Sequence, residues 1–99
     1  MATSTIKRDL SSAFRDAANY SVDTTGVTIN LGTGYRGVLF VLASSEASCG
    51  LYLIYTNNSG TLGYKAVSTS TILTITQPST GNVNLKVSAG SAKALLIKI

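Results

Sequence analysis

The chain has no histidine, no tryptophan, one cysteine, one proline and only four acidic residues among its 99 positions. Each absence removes a class of chemistry. Without imidazole there is no side chain that titrates near neutrality in its ordinary state, no histidine-containing metal site and no histidine-activated serine or cysteine nucleophile. A single Cys49 rules out an internal disulfide and a zinc cluster, and reads as a small buried residue near a strand end. The acids are Asp9, Asp16, Asp23 and Glu46, too dispersed for the paired carboxylates of glycoside hydrolysis or for a tight calcium site. A serine near a lysine says nothing in a chain with 26 serines and threonines. Gly32-Thr33-Gly34 leads into a strand pattern rather than a helix, so it is a turn and not a phosphate loop. The expectation is a non-enzyme with no catalytic residue, no metal and no cofactor.

Long apolar runs and clustered charge are missing too. No stretch approaches the roughly 20 apolar residues of a membrane-spanning helix, so no membrane insertion is expected. MATSTIKRDL has no apolar run behind its positive charges, which argues against a secretory signal peptide and for synthesis in a cytoplasm. The triplets Asn19-Tyr20-Ser21 and Asn57-Asn58-Ser59 then carry no glycosylation meaning. The net charge is +4, with Lys7, Arg8, Arg15, Arg36, Lys65, Lys86, Lys93 and Lys98 scattered along the chain. Nucleic-acid binders gather such charge into a stripe with interleaved aromatics, so no nucleic-acid partner is expected.

What is present is β patterning. Val27 to Leu31 alternates apolar and polar, Val38 to Leu42 and Leu51 to Tyr55 are continuous apolar runs, and Leu62, Tyr64 and Ala66 alternate with Gly63 and Lys65. Ile72 to Thr76, then Val83, Leu85 and Val87, then Ala94 to Ile99 complete seven strands separated by short turns. That spacing predicts an all-β fold, an antiparallel β-sandwich of jelly-roll type, over residues 26–99. The first 25 residues read differently. Ile6, Leu10, Ala13, Phe14 and Ala17 share one face of a helix running from about Ile6 to Ala18, an N-terminal helical or neck segment.

Antiparallel strands that bury one face should alternate, and two of these do not. The second apolar face of Val38–Leu42 and Leu51–Tyr55 needs a cover, which the N-terminal segment and a symmetric copy of the chain can supply. Phe40, Leu42, Tyr52 and Ile54 are the candidate interface residues of a homotrimer. Recognition falls to the tyrosines and the turns. Tyr35 beside Arg36, the hairpin amides Asn57 and Asn58, and Tyr64 offer a flat ring, a charge and hydrogen-bonding groups suited to a sugar.

The stretches GTGYRGVLFVLASSEASCGLYLIYTNNSGTLGYKAV and NVNLKVSAGSAKALLIKI resemble the C-terminal head or tip domains of phage tail fibres and receptor-binding proteins. The order of features carries it: a glycine turn, YRG entering an apolar strand, GLYLIY, a hairpin and a last apolar strand. The resemblance implies a trimeric β-sandwich on a virion that attaches to a host surface glycan or protein and contacts other virion proteins. A virion assembly subunit (capsid decoration, head fibre or baseplate), a stand-alone carbohydrate-binding module and a basic nucleic-acid-binding barrel are the alternatives.

Overall fold

The computed structural model describes residues 17–99. They form eight strands: β1 (Ala18–Val22), β2 (Val27–Asn30), β3 (Arg36–Leu42), β4 (Gly50–Thr56), β5 (Leu62–Ser68), β6 (Leu73–Thr76), β7 (Asn82–Val87) and β8 (Ala92–Lys98). Every pairing is antiparallel, and the strands build a five-stranded sheet, β1-β8-β3-β4-β5, facing a three-stranded sheet, β2-β7-β6. The β-sandwich read from the alternation is therefore the fold. β1 adds an eighth strand ahead of residue 26, where the sequence pattern begins the domain. Its residues ANYSV lie at the end of the helical spacing, but they pair with Ala92–Leu96 of β8 and bury Val22. The rest of the expected helix lies outside the described residues.

Alternation along each strand decides what is core. Leu39 and Val41 of β3, Tyr52 and Ile54 of β4, and Ala94 and Leu96 of β8 point between the sheets, where they meet Ile29, Ile75, Val83, Leu85 and Val87 of the smaller sheet. Leu39, Val41, Val83, Leu85 and Val87 are the near-fully buried residues of this layer. Three of the five are valines, β-branched side chains that suit a pleated surface.

Tyr52 and Ile54 are thus core residues, 3% and 2% exposed, and not the interface residues that the sequence suggested. The outward half of β4 is Leu51, Leu53 and Tyr55. In register, Val38 lies between Ile97 and Leu53, and Phe40 lies between Leu95 and Leu51. Phe40 and Leu42, 36% and 60% exposed, share this outer face. The apolar second face is real and runs across β8, β3 and β4. The expectation misassigned only which half of β4 belongs to it.

One buried polar contact ties the crossing from β5 to β6 to the core. The Ser70 N–H donates to the Tyr52 hydroxyl at 2.8 Å, and the Ser70 hydroxyl donates to the Ser48 carbonyl at 2.6 Å. Tyr52→Phe keeps the ring and strands the buried Ser70 N–H, so it is expected to lower unfolding stability by about 1–3 kcal/mol. Urea unfolding followed by circular dichroism measures this; an unchanged midpoint would show that the amide finds another acceptor.

Candidate functional site

Three turns meet at one end of the sandwich, and the backbone joins them. The β2–β3 turn receives two hydrogen bonds' worth of support from the β6–β7 turn: Leu31 N–H and Gly32 N–H both donate to the Gly81 carbonyl, at 2.7 and 3.0 Å. Gly81 N–H donates to the Gly60 carbonyl of the β4–β5 turn at 2.9 Å, and Gly34 N–H donates to the Asn57 carbonyl at 3.1 Å. Gln77 bridges further, accepting from Leu62 N–H at 3.1 Å and donating to the Gly60 carbonyl at 2.7 Å. Gly60 and Gly81 sit at φ of 82° and 78°, conformations that side chains rarely adopt, and a Cβ at Gly60 would come within 2.7 Å of Thr80 Cγ2.

Thr56, the last residue of β4, is buried under this end. Its hydroxyl accepts from Tyr35 N–H at 3.0 Å and donates to the Gly32 carbonyl at 2.9 Å. Asn57 follows and shapes the hairpin: its Oδ1 accepts from Ser59 N–H and Thr61 N–H, both at 2.9 Å. This is the local turn chemistry that asparagine performs well.

Above these bonds lies an open cleft of about 450 Å³ lined by Gly34, Arg36, Tyr55, Thr56, Asn57 and Asn58. Arg36 and Tyr55 are direct cross-strand partners. The Tyr55 ring lies over Gly63, its partner on β5, closely enough that a Cβ there would collide with ring and hydroxyl. The ring is half exposed and presents its outer side to the cleft.

Of the five residues picked from the sequence, Arg36, Asn57 and Asn58 come together here. Tyr64 does not. It forms an edge-on pair with Tyr52, with ring centroids 6.1 Å apart, in a second cleft of about 300 Å³ where β5 extends past the smaller sheet. Tyr35 is a correction: it is 8% exposed and belongs to the core cluster, with Lys98 Nζ 5.8 Å from its ring centroid. It precedes β3 with its ring tucked inward over Gly37, so no ligand reaches its face. Tyr55 and Thr56 were missed. The signal for Tyr55 was parity, since it alternates with Ile54 and faces a glycine across the strand.

Among the described residues no three metal-ligating side chains gather in one place, and no helix is long and apolar enough to cross a membrane. No family model, curated protein or solved structure matches the chain.

Burial, with a smaller contribution from Tyr20, pushes the Tyr35 hydroxyl above its ordinary value. An unfolded chain ionises this phenol near pH 10, whereas the folded chain holds its proton to higher pH. Its contribution to stability is therefore intact below about pH 10 and is lost as pH rises from there through the folded value. Urea midpoints measured from about pH 8.5 to about pH 11 are expected to fall over the upper part of that range, and Tyr35→Phe to flatten the fall. An equal slope in the variant would assign the alkaline loss to other groups.

Proposed function

We propose that the chain is a non-catalytic attachment domain of a virion, self-associating as a homotrimer and displaying its turn cleft to a host surface glycan or protein. The observation that carries this reading is the combination, on one five-stranded sheet, of an apolar face that no described residue covers and a cleft opening at its end. Contiguous exposed apolar surface on a soluble domain marks an interaction site. Val38, Phe40, Leu42, Leu51, Leu53, Leu95 and Ile97 form such a surface in register across three strands. A rotationally symmetric assembly uses the same patch on every copy and closes on itself. Surface turns held on a rigid scaffold are where recognition residues concentrate, and Arg36, Tyr55, Asn57 and Asn58 are so placed. The resemblance to tail-fibre tips supplies the virion context.

The same outer face also suits an assembly subunit that docks on other virion proteins. The two readings part at the cleft, because only attachment requires it to hold a surface ligand.

Size exclusion with light scattering at low micromolar concentration is expected to give three times the chain mass. Phe40→Ser combined with Leu53→Ser is expected to reduce it to a single chain while the β circular dichroism signal persists. A wild-type monomer would remove the self-association half of the reading. An array of surface glycans tests the other half.

A further inference from the structure

We propose that the cleft at the turn end selects acidic saccharides, with one sugar ring on Tyr55 and its carboxylate or sulfate on Arg36. This rests on the attachment reading and names the ligand class of the same site. Three observations on hydrogen-bonding capacity and charge support it.

The cleft is rich in donors and poor in anionic acceptors. Among the described residues its lining holds no carboxylate. The Thr56 hydroxyl is spent on Tyr35 N–H and the Gly32 carbonyl, and Asn57 Oδ1 is spent on two backbone amides. That leaves the Asn57 Nδ2 donors as its remaining side-chain capacity, and Arg36 in the same lining can only donate. Neutral sugar hydroxyls both donate and accept, so they can use these donors, but only through ordinary hydrogen bonds. A carboxylate or sulfate brings acceptor oxygens only, and these form stronger, charge-assisted bonds to arginine.

The topology also separates the charges of the described residues. β1 and β3 run in the same direction, both antiparallel to β8, and β4 runs back along β3. Asp23, just after β1, and Glu46, between β3 and β4, therefore lie at the end remote from the cleft. They are the two acids among the described residues. Arg36 opens β3 at the cleft end; Lys98 closes β8 at the same end but shares the inward parity of Gly37 and reaches over the Tyr35 ring instead. Among the described residues Arg36 is therefore the charged group lining the cleft, and neither Asp23 nor Glu46 lies at its end.

The aromatic platform fits a sugar. Tyr55 is held by Gly63 beneath it and is the cross-strand partner of Arg36. Side chains so paired have Cβ atoms about 4.5–5.5 Å apart, and with the ring leaning over β5 the cleft opens between it and Arg36. A polynucleotide also offers anions and flat bases, but it calls for a track of cations. Lys65, Lys86 and Lys93 sit instead on β5, β7 and β8, not along the cleft.

The test uses the full chain in calorimetric titrations with 3′-sialyllactose, a glucuronic-acid disaccharide, 6-sulfogalactose, lactose and a ten-nucleotide oligothymidine. An acidic sugar is expected to bind at least about tenfold tighter than lactose, the size of one charge-assisted hydrogen bond. Comparing carboxylated with sulfated probes identifies which anion the site prefers. Arg36→Gln should erase that preference, and Arg36→Lys should restore part of it. Tyr55→Ala should abolish binding, and Gly63→Ala should weaken it by lifting the ring, with little change in thermal stability because the half-exposed ring can swing away. Lactose bound as well as the acidic sugars would overturn the acidic-ligand assignment and leave attachment standing. No sugar bound at millimolar concentration would overturn the saccharide assignment and leave the attachment reading with a host protein as its ligand. Oligothymidine bound in preference to every sugar would replace the saccharide with a nucleic acid.

Discussion

The period-two alternation of a pleated strand is the constraint on which the rest of this molecule depends, and β4 shows it most clearly. Seven residues, Gly50–Thr56, contribute to three different surfaces. Tyr52, Ile54 and Thr56 go inward, where two pack the core and the third anchors the turn end through its hydroxyl. Leu51 and Leu53 go outward onto the apolar face, and Tyr55, next in the outward series, becomes the wall of the cleft. A one-residue shift in pairing would exchange all of these roles at once. Both neighbours lock the register: β3 pairs along Arg36–Val41, and β5 pairs along Leu62–Ala66 before an irregularity near Leu51.

The turn end draws its stiffness from backbone bonding more than from apolar packing. Residues of the β2–β3, β4–β5 and β6–β7 turns exchange amide and carbonyl contacts through Gly81, Gly60, Gly34 and Asn57, and Gln77 spans between them. These bonds satisfy polar groups that would otherwise be left over where the sheets end. They use main chain almost throughout, so they place little demand on the outward side chains. Asn58 and Arg36 can therefore vary in identity without disturbing the geometry that presents them. A recognition surface that must change with its target gains from this separation.

The sequence made the sandwich legible because most of its strands permit alternation and its turns carry Gly, Asn and Pro where the chain reverses. It revealed the apolar outer face because Val38–Leu42 and Leu51–Tyr55 break that alternation. A run that is apolar on both sides cannot, however, say which side is which. That ambiguity is why Tyr52 and Ile54 read as interface residues and proved to be core. β1 was hidden for a related reason. ANYSV is short, and its only deeply buried side chain is Val22, so its pairing with β8 is a long-range fact that local spacing does not encode. The cleft was half legible: Arg36, Asn57 and Asn58 are turn-flanking polar residues and stand out, whereas Tyr55 depends on a glycine across the strand.

The mismatch of five strands against three explains why this small domain has so much surface to spare. The smaller sheet covers the inner faces of the central strands but leaves β5 overhanging. Tyr64 and Ala66 have the inward parity of their partners Ile54 and Tyr52 and yet remain exposed. Among the described residues the larger sheet thus has an uncovered outer face and an uncovered inner margin, while the smaller sheet is short and largely polar outside, with Thr28, Asn30, Thr74 and Thr76 exposed. Association through the larger sheet would bury the apolar outer face and leave the polar sheet to solvent. Arg36 and Tyr55 occupy the last register row of that outer face, so copies packed over the rows above would bring the cleft to the rim of their junction. Assembly and ligand display would then share one strand pair, β3 and β4, and the spacing between copies would set the spacing between the ligands they hold. Multivalent contact arranged in this way converts weak single-site affinities into strong attachment through effective concentration alone. A shallow, open, donor-lined cleft is sufficient for that task.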